Sequence, residues 1–181
     1  MVPSVTYLGF IITEGINMDS RGTEAVRCAP RPKNRAELQS FLGLVNHYRK
    51  HIPNMSSLCN PLNLLLCKDQ KWKWTTKTEE AFNVLKSKLT AKDTMLIHYD
   101  PTKVVTLAVD DSPVGLGAVL SQNTDKGEQP VAYASRSLSK SEKNYAQLEK
   151  EGLAIIFGIK RFHQYLYGRK FILVTDNKPL S

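Results

Sequence analysis

At 181 residues, with 41% hydrophobic content and a formal net charge of +8, the chain has room for one large or two small domains with ordinary cores. No run of about 18 uncharged apolar residues occurs, and the first twenty residues lack a basic start, apolar core and cleavage site, so neither membrane span nor signal peptide is expected. Cys28, Cys59 and Cys67 are odd in number and lack paired metal-ligand spacing, which points to reduced thiols in the cytosol or nucleus. The charge is uneven, net +6 over residues 1–93 and net +2 over residues 94–181. A basic module beside an acid-centred one suits a polyanion handled by one part and cut by the other. On composition alone, a solvated basic surface is the commoner explanation.

Tyr7-Leu8-Gly9-Phe10-Ile11-Ile12 is a short β-type run, and Thr13 to Ile16 form a turn into another extended piece. So abrupt a start suggests that sheet partners for this hairpin lie upstream. Ala29-Pro30-Arg31-Pro32-Lys33 is a stiff basic connector. Asn34 with Glu37 predicts a capped helix whose stripe is Leu38, Phe41, Leu42, Val45 and Tyr48, ending near Ile52-Pro53. Arg35, Asn46, Arg49, Lys50 and His51 lie outside that stripe, where they face solvent or track a phosphate backbone. A short packed helix is expected over Pro61–Leu66. In Lys71-Trp72-Lys73-Trp74 the aromatic rings either stack on bases or, the commoner outcome, pack inward with the lysines outside. Thr76 with Glu79 predicts a box opening a helix through Ala81, Phe82, Leu85 and Leu89. No nucleophile, phosphate loop or acid cluster precedes residue 94, so this half looks like a binding or spacing module.

After the turn His98-Tyr99-Asp100-Pro101, Val104 to Val109 form a strand that ends in Asp110. Val105, Leu107 and Val109 share one face, and Thr106, Ala108 and Asp110 the other. Ser112-Pro113 breaks it, Gly115–Ser121 is its hairpin partner, Asn123–Glu128 is a polar turn, and Pro130–Ser135 is a third strand. Ser139 with Glu142 predicts a box for a long helix reaching about Tyr165, with Leu148, Ile155, Ile159 and Phe162 inward. Glu151 lies on that stripe, where an unpaired carboxylate is costly unless a salt bridge or a surface position rescues it. Phe171 to Thr175 form a last strand ending in Asp176. A strand–helix–strand crossover makes this strand parallel to a member of the meander. If that member is the first strand, Asp110 and Asp176 sit at neighbouring strand ends. Three gathered carboxylates repel unless a cation joins them, and hard oxygen ligands suit Mg²⁺. Two such ions can hydrolyse a phosphodiester without a Ser, His or Cys nucleophile.

Several motifs now stand in one order: Val109-Asp110-Asp111-Ser112, Gly115–Gln122, Ala132-Tyr133-Ala134-Ser135-Arg136, Asn144-Tyr145 through Glu151, Leu166–Phe171 and Thr175–Leu180. Together they resemble the ribonuclease H domain of gypsy-type retrotransposon polyproteins. Tyr7–Phe10 resembles the end of a reverse transcriptase palm, and Ser40–Tyr48 with Trp72–Thr75 the thumb and connection that follow. The resemblance implies an α+β (or α/β) chain: a small helical thumb-like module, then an incomplete ribonuclease H-like mixed sheet of three antiparallel strands, a helix and a parallel fourth strand. It divides the chain into 1–28 (palm end, with a primer-grip hairpin), 29–93 (thumb and connection) and 94–181 (ribonuclease H).

The implied activity is metal-dependent hydrolysis of RNA in RNA–DNA hybrids, with Asp110, Glu151 and Asp176 holding two Mg²⁺ or Mn²⁺ ions. Tyr7, Gly9, Arg35, Asn46, Arg49, Lys50, Lys73 and Arg136 become candidates for holding hybrid or primer–template duplex, beside the palm and fingers of a parent polyprotein. The polymerase's own acids lie upstream in such proteins, so the chain is not expected to polymerise DNA. Departures also stand out: Asp111 replaces the usual Ala, Asn177 a common His, Gly152 weakens the helix beside Glu151, and the family's fourth carboxylate lies beyond Ser181. The alternative reading is an inactive nucleic-acid-binding or interaction remnant of such an element.

Overall fold

Residues 4–68, 70–91 and 95–176 are described by a computed structural model, in which the chain falls into two units. Residues 53–57 and those from Leu96 onward form the second unit, and the others form the first.

The first unit opens with a meander of β1 (Val5–Tyr7), β2 (Phe10–Ile12) and β3 (Gly15–Met18). The β-type run expected over Tyr7–Ile12 is therefore two strands. Leu8 and Gly9 take φ of 48° and 81°, the left-handed pair that a two-residue hairpin turn requires. α1 (Ser20–Arg27) was not expected, because Val26 alone is buried and no apolar stripe announces it. Its N-terminus is satisfied by Asp19, which accepts from the Arg21 N–H at 3.2 Å.

α2 (Arg35–His47) starts where the sequence placed it. The Asn34 side chain accepts from the Glu37 N–H at 2.9 Å, and the Glu37 carboxylate accepts from the Lys33 N–H at 2.7 Å. Leu38, Phe41, Val45 and Tyr48 are buried as the stripe requires, with Leu42 half-buried. The helix ends earlier than expected, at His47, and a 3₁₀ turn spans Arg49–His51. His51, placed outside the stripe by periodicity, is in fact buried, because the tighter turn rotates it onto the Phe10 ring at 5.3 Å.

α3 (Met55–Leu65) begins before the expected start and carries Pro61 inside rather than at its entry. α4 (Thr76–Thr90) is opened by Thr75 and Thr78, one residue earlier than the expected Thr76–Glu79 pair. Glu79 instead accepts from the Trp74 indole N–H. Trp72 and Trp74 are half-buried between exposed lysines, and Trp74 meets Phe82 edge-on at 5.8 Å. Trp74 thus packs inward, the commoner outcome of that alternation.

The second unit contains β4 (Leu96–Ile97), β5 (Val105–Asp111), β6 (Gly115–Thr124), β7 (Gly127–Ser137), α5 (Gln147–Arg161), α6 (His163–Leu166) and β8 (Phe171–Val174). The sheet order is β7-β6-β5-β8, with β8 parallel to β5 and the other pairs antiparallel, as expected for a mixed sheet. β6 and β7 run further toward their turn than expected, pairing through Thr124 and Gly127, where a φ of 91° at Gly127 allows a tight reversal. Ser139 and Glu142 do form a reciprocal box, but it closes only a 3₁₀ turn at Glu142–Asn144. The expected long helix is α5 plus α6, and α5 is opened by Glu149 accepting from the Ala146 N–H at 2.8 Å.

The inward face of α5 also differs from expectation. Leu148 and Ile159 are 53% and 36% exposed, whereas Ala154 and Gly158 are buried. A side chain at Gly158 would place its Cβ 2.9 Å from Val109 Cγ1, so the close approach of helix to sheet requires glycine there. Val105, Leu107, Leu116, Leu120, Phe162 and Leu166 complete this core.

Candidate active site

The parallel ladder pairs Val105 with Phe171 through Ala108 with Val174, so its continuation brings residues 110 and 176 to the same end of the sheet. Leu107 and Val109 face α5, as their approach to Gly158 shows. By the two-residue period of a strand, Asp111 lies on that helix side and Asp110 on the opposite one, so it is Asp111, and not Asp110, that the sheet presents to Glu151. At the first residue of α5, the Gln147 amide donates to both Asp111 carboxylate oxygens at 3.1 and 3.3 Å, and to Glu151 Oε1 at 3.1 Å. Among the described residues, Glu151 Oε2 is buried with no hydrogen-bond partner. Asp110 and Asp176 are exposed, and Asp110 Oδ2 accepts from the Asn54 amide at 3.2 Å.

The four acids share one electrostatic neighbourhood. Burial pushes the Asp111 carboxyl above its ordinary value, the Gln147 hydrogen bond opposes this, and the charges of Glu151, Asp110 and Asp176 add to the rise. Among the described residues no three His, Cys, Asp or Glu side chains converge tightly enough to hold a metal ion. The donor set nevertheless fits a hard divalent cation, being all carboxylate oxygen with the buried Glu151 Oε2 left over. Asp111, read from sequence only as an extra charge, is thus the acid bridged to Glu151. Gln147 was missed, though its i, i+4 spacing to Glu151 was a usable signal. Asn54 lies 56 residues from Asp110 and carried no signal at all.

Tyr7 precedes the β1–β2 turn and Gly9, half-buried, lies in it, while Tyr7, Asn46, Arg49, Lys50 and Lys73 are exposed. Two other nucleic-acid candidates have partners of their own. Arg35 donates to the carbonyls of Cys67, Lys68 and Gln70. Arg136 is bidentate to Glu142 at 2.8 and 2.9 Å. Asn177 and the motif residues after it lie outside the described residues.

An antiparallel meander, a crossover helix and a parallel strand, with acids at one end of the parallel pair, define a ribonuclease H-like mixed-sheet domain. The family profile described as the RNase H-like domain found in reverse transcriptase matches residues 74–173, and the chain belongs to that family. It is 41% identical over 180 residues to the Transposon Tf2-3 and Tf2-4 polyproteins of Schizosaccharomyces pombe, a match covering 97% of this chain and 13% of each polyprotein. The foamy viral protease-reverse transcriptase in complex with dsDNA is similar in structure, with a TM-score of 0.79 at 25% identity, over 97% of this chain and 37% of that one. Its complex with RNA/DNA hybrid gives 0.77 at 25%, over 96% and 24%.

Proposed function

We propose that the chain is part of a retrotransposon reverse transcriptase: the palm end over 1–28, thumb and connection over 29–93, and a ribonuclease H domain over 94–181 that cuts the RNA strand of an RNA–DNA hybrid. The observation that carries this is the buried, unpartnered Glu151 Oε2, set among carboxylates that repel one another. A buried acceptor without a donor is costly, and a bound cation is the partner that suits it. Asp110, Glu151 and Asp176 are assigned as the residues that hold two Mg²⁺ or Mn²⁺ ions. When bound, these ions supply the Lewis acidity for phosphodiester hydrolysis. The protein's part is to carry Asp110 and Asp176 on neighbouring strand ends and to orient Glu151 through Gln147.

The exposed Tyr7, Asn46, Arg49, Lys50 and Lys73, with Gly9 in the turn, are proposed to meet hybrid or primer–template duplex through its backbone. A parent polyprotein would supply the palm and fingers. The dsDNA and RNA/DNA hybrid complexes of the structural relatives support this choice of partner. The three free cysteines fit cytosol or nucleus, and among the described residues no helix is long and apolar enough to cross a membrane.

The deciding experiment is cleavage of a labelled RNA–DNA hybrid in Mg²⁺ or Mn²⁺. Cutting that falls at least about a hundredfold in Asp110→Asn is expected, since losing a ligand should cost no less than losing a group that orients one. A folded chain that binds hybrid but does not cut it would leave the second reading, an inactive binding remnant.

A further inference from the structure

Asp110 pairs across the sheet with Gly117, and Gly117 pairs in turn with Ser135. The missing side chain at Gly117 leaves a gap above the sheet that is filled from outside it. A Cβ on Gly117 would lie 1.9 Å from Asn54 Oδ1, so the Asn54 amide occupies that place while its Nδ2 donates to Asp110 Oδ2. Asn54 has φ of 49°, a left-handed conformation that asparagine tolerates better than most residues.

The segment carrying it is fixed to the same sheet end. The Ser56 N–H donates to Ser135 Oγ at 3.0 Å, and Ser57 Oγ meets Ser112 Oγ at 2.8 Å. Ser112 Oγ in turn accepts from the Gly115 N–H at 2.9 Å, which ties the contact to the β5–β6 turn. A charged, exposed aspartate at a strand end has free rotation about its side-chain bonds. One fixed amide donor on Oδ2 restrains that rotation and leaves Oδ1 available.

We infer that Asn54 is a positioning residue for Asp110: it holds the carboxylate in the orientation that receives a divalent cation, and Gly117 is glycine to admit it. This rests on the proposed reading of Asp110 as a metal ligand. Two variants remove the contact by independent routes. Asn54→Gly deletes the amide and keeps the left-handed backbone. Gly117→Ala leaves Asn54 in the chain and displaces its amide from the gap.

The test uses the whole chain with three readouts: the ¹³C carboxyl resonance of Asp110 without metal (assigned with Asp110→Asn), Mn²⁺ affinity, and the Mg²⁺ dependence of hybrid cleavage. Both variants are expected to move the Asp110 resonance and to weaken Mn²⁺ binding about tenfold, the usual effect of losing a group that orients a ligand. Half-saturating Mg²⁺ should rise while kcat at saturating Mg²⁺ recovers, a split that simple destabilisation does not produce. An unmoved Asp110 resonance with unchanged Mn²⁺ affinity in both variants overturns the role of Asn54 and leaves the nuclease reading intact. A wild-type chain whose Mn²⁺ binding ignores Asp110→Asn overturns both.

Discussion

In the first unit, Arg35 donates to three backbone carbonyls and Lys86 to that of Ala29 at 2.8 Å, so cations of a basic module hold loops to helices. At the sheet end of the second unit, Asp110, Asp111 and Glu151 meet the amides of Asn54 and Gln147, and one Glu151 oxygen has no hydrogen-bond partner among the described residues. The difference teaches where to look for function in a charged chain. A cation satisfied by carbonyls is already used by the fold, and mutating it tests stability first. Carboxylates gathered without a cationic partner raise the energy of the fold, which is a mark of a site that takes its partner from outside.

The largest effect expected within this comparison comes from a polar group of the second unit used in the first unit's manner. Gln122 is wholly buried; its Oε1 accepts from the Asp100 N–H at 2.9 Å, and its Nε2 donates to the Asp100 and Lys103 carbonyls. Gln122→Ala leaves these groups unpaired beside a cavity and should cost about 3 kcal/mol in urea unfolding. A cost below about 1 kcal/mol would show that the turn before β5 carries little of the stability.

Next come two glycines on one helix. Gly152→Ala meets nothing within 4 Å and should stabilise by about 1 kcal/mol, while Gly158→Ala drives a methyl into Val109 and should cost about 1–2 kcal/mol. Equal effects would mean that α5 does not rest on β5 through Gly158.

What the sequence made legible was local. The Asn34–Glu37 cap and the α2 stripe follow from spacings of three and four residues, and the mixed sheet from short strands in sequence followed by a strand–helix–strand crossover. Asp110, Glu151 and Asp176 were singled out because each interrupts or ends an apolar pattern. Leu148 and Ile159 were misassigned because Gly158 lets a small-residue stripe replace a large one, and hydrophobic periodicity cannot register a close approach made by glycine. His51 and the split of Ser139–Tyr165 turn on 3₁₀ turns, which shift the phase of every later residue. Asn54 was invisible because its partner is long-range and its function is held in a backbone angle.

Arg35 and Lys50 sharpen the contrast among cations. Arg35→Ala should destabilise by about 1 kcal/mol through its lost carbonyl contacts and leave the salt dependence of hybrid binding unchanged. The exposed Lys50, changed to Ala, should barely alter stability and should reduce the slope of log affinity against log salt by about 0.9 if it meets a phosphate. Reversed outcomes would exchange their roles.

The smallest expected effect tests whether Arg136 belongs with Arg35 or with Lys50. Its bidentate partner Glu142 is held at about 2, below an ordinary value of 4.5, chiefly by the Arg136 guanidinium and also by the Ser139 N–H. A carboxylate whose folded value is depressed stabilises the fold above its unfolded value and loses that contribution as pH falls through the folded one. Glu142→Gln should therefore cost less than about 1 kcal/mol at pH 7, since the pair is partly exposed. The gap from wild type should narrow steadily as pH falls from 4.5 toward about 2. The same variant releases Arg136 from its carboxylate. If hybrid affinity and its salt slope then stay as in wild type, Arg136 is a strut between β7 and the 3₁₀ turn. If the slope steepens by about 0.9, the freed guanidinium has found a phosphate, and Glu142 is what keeps it from one in the free chain.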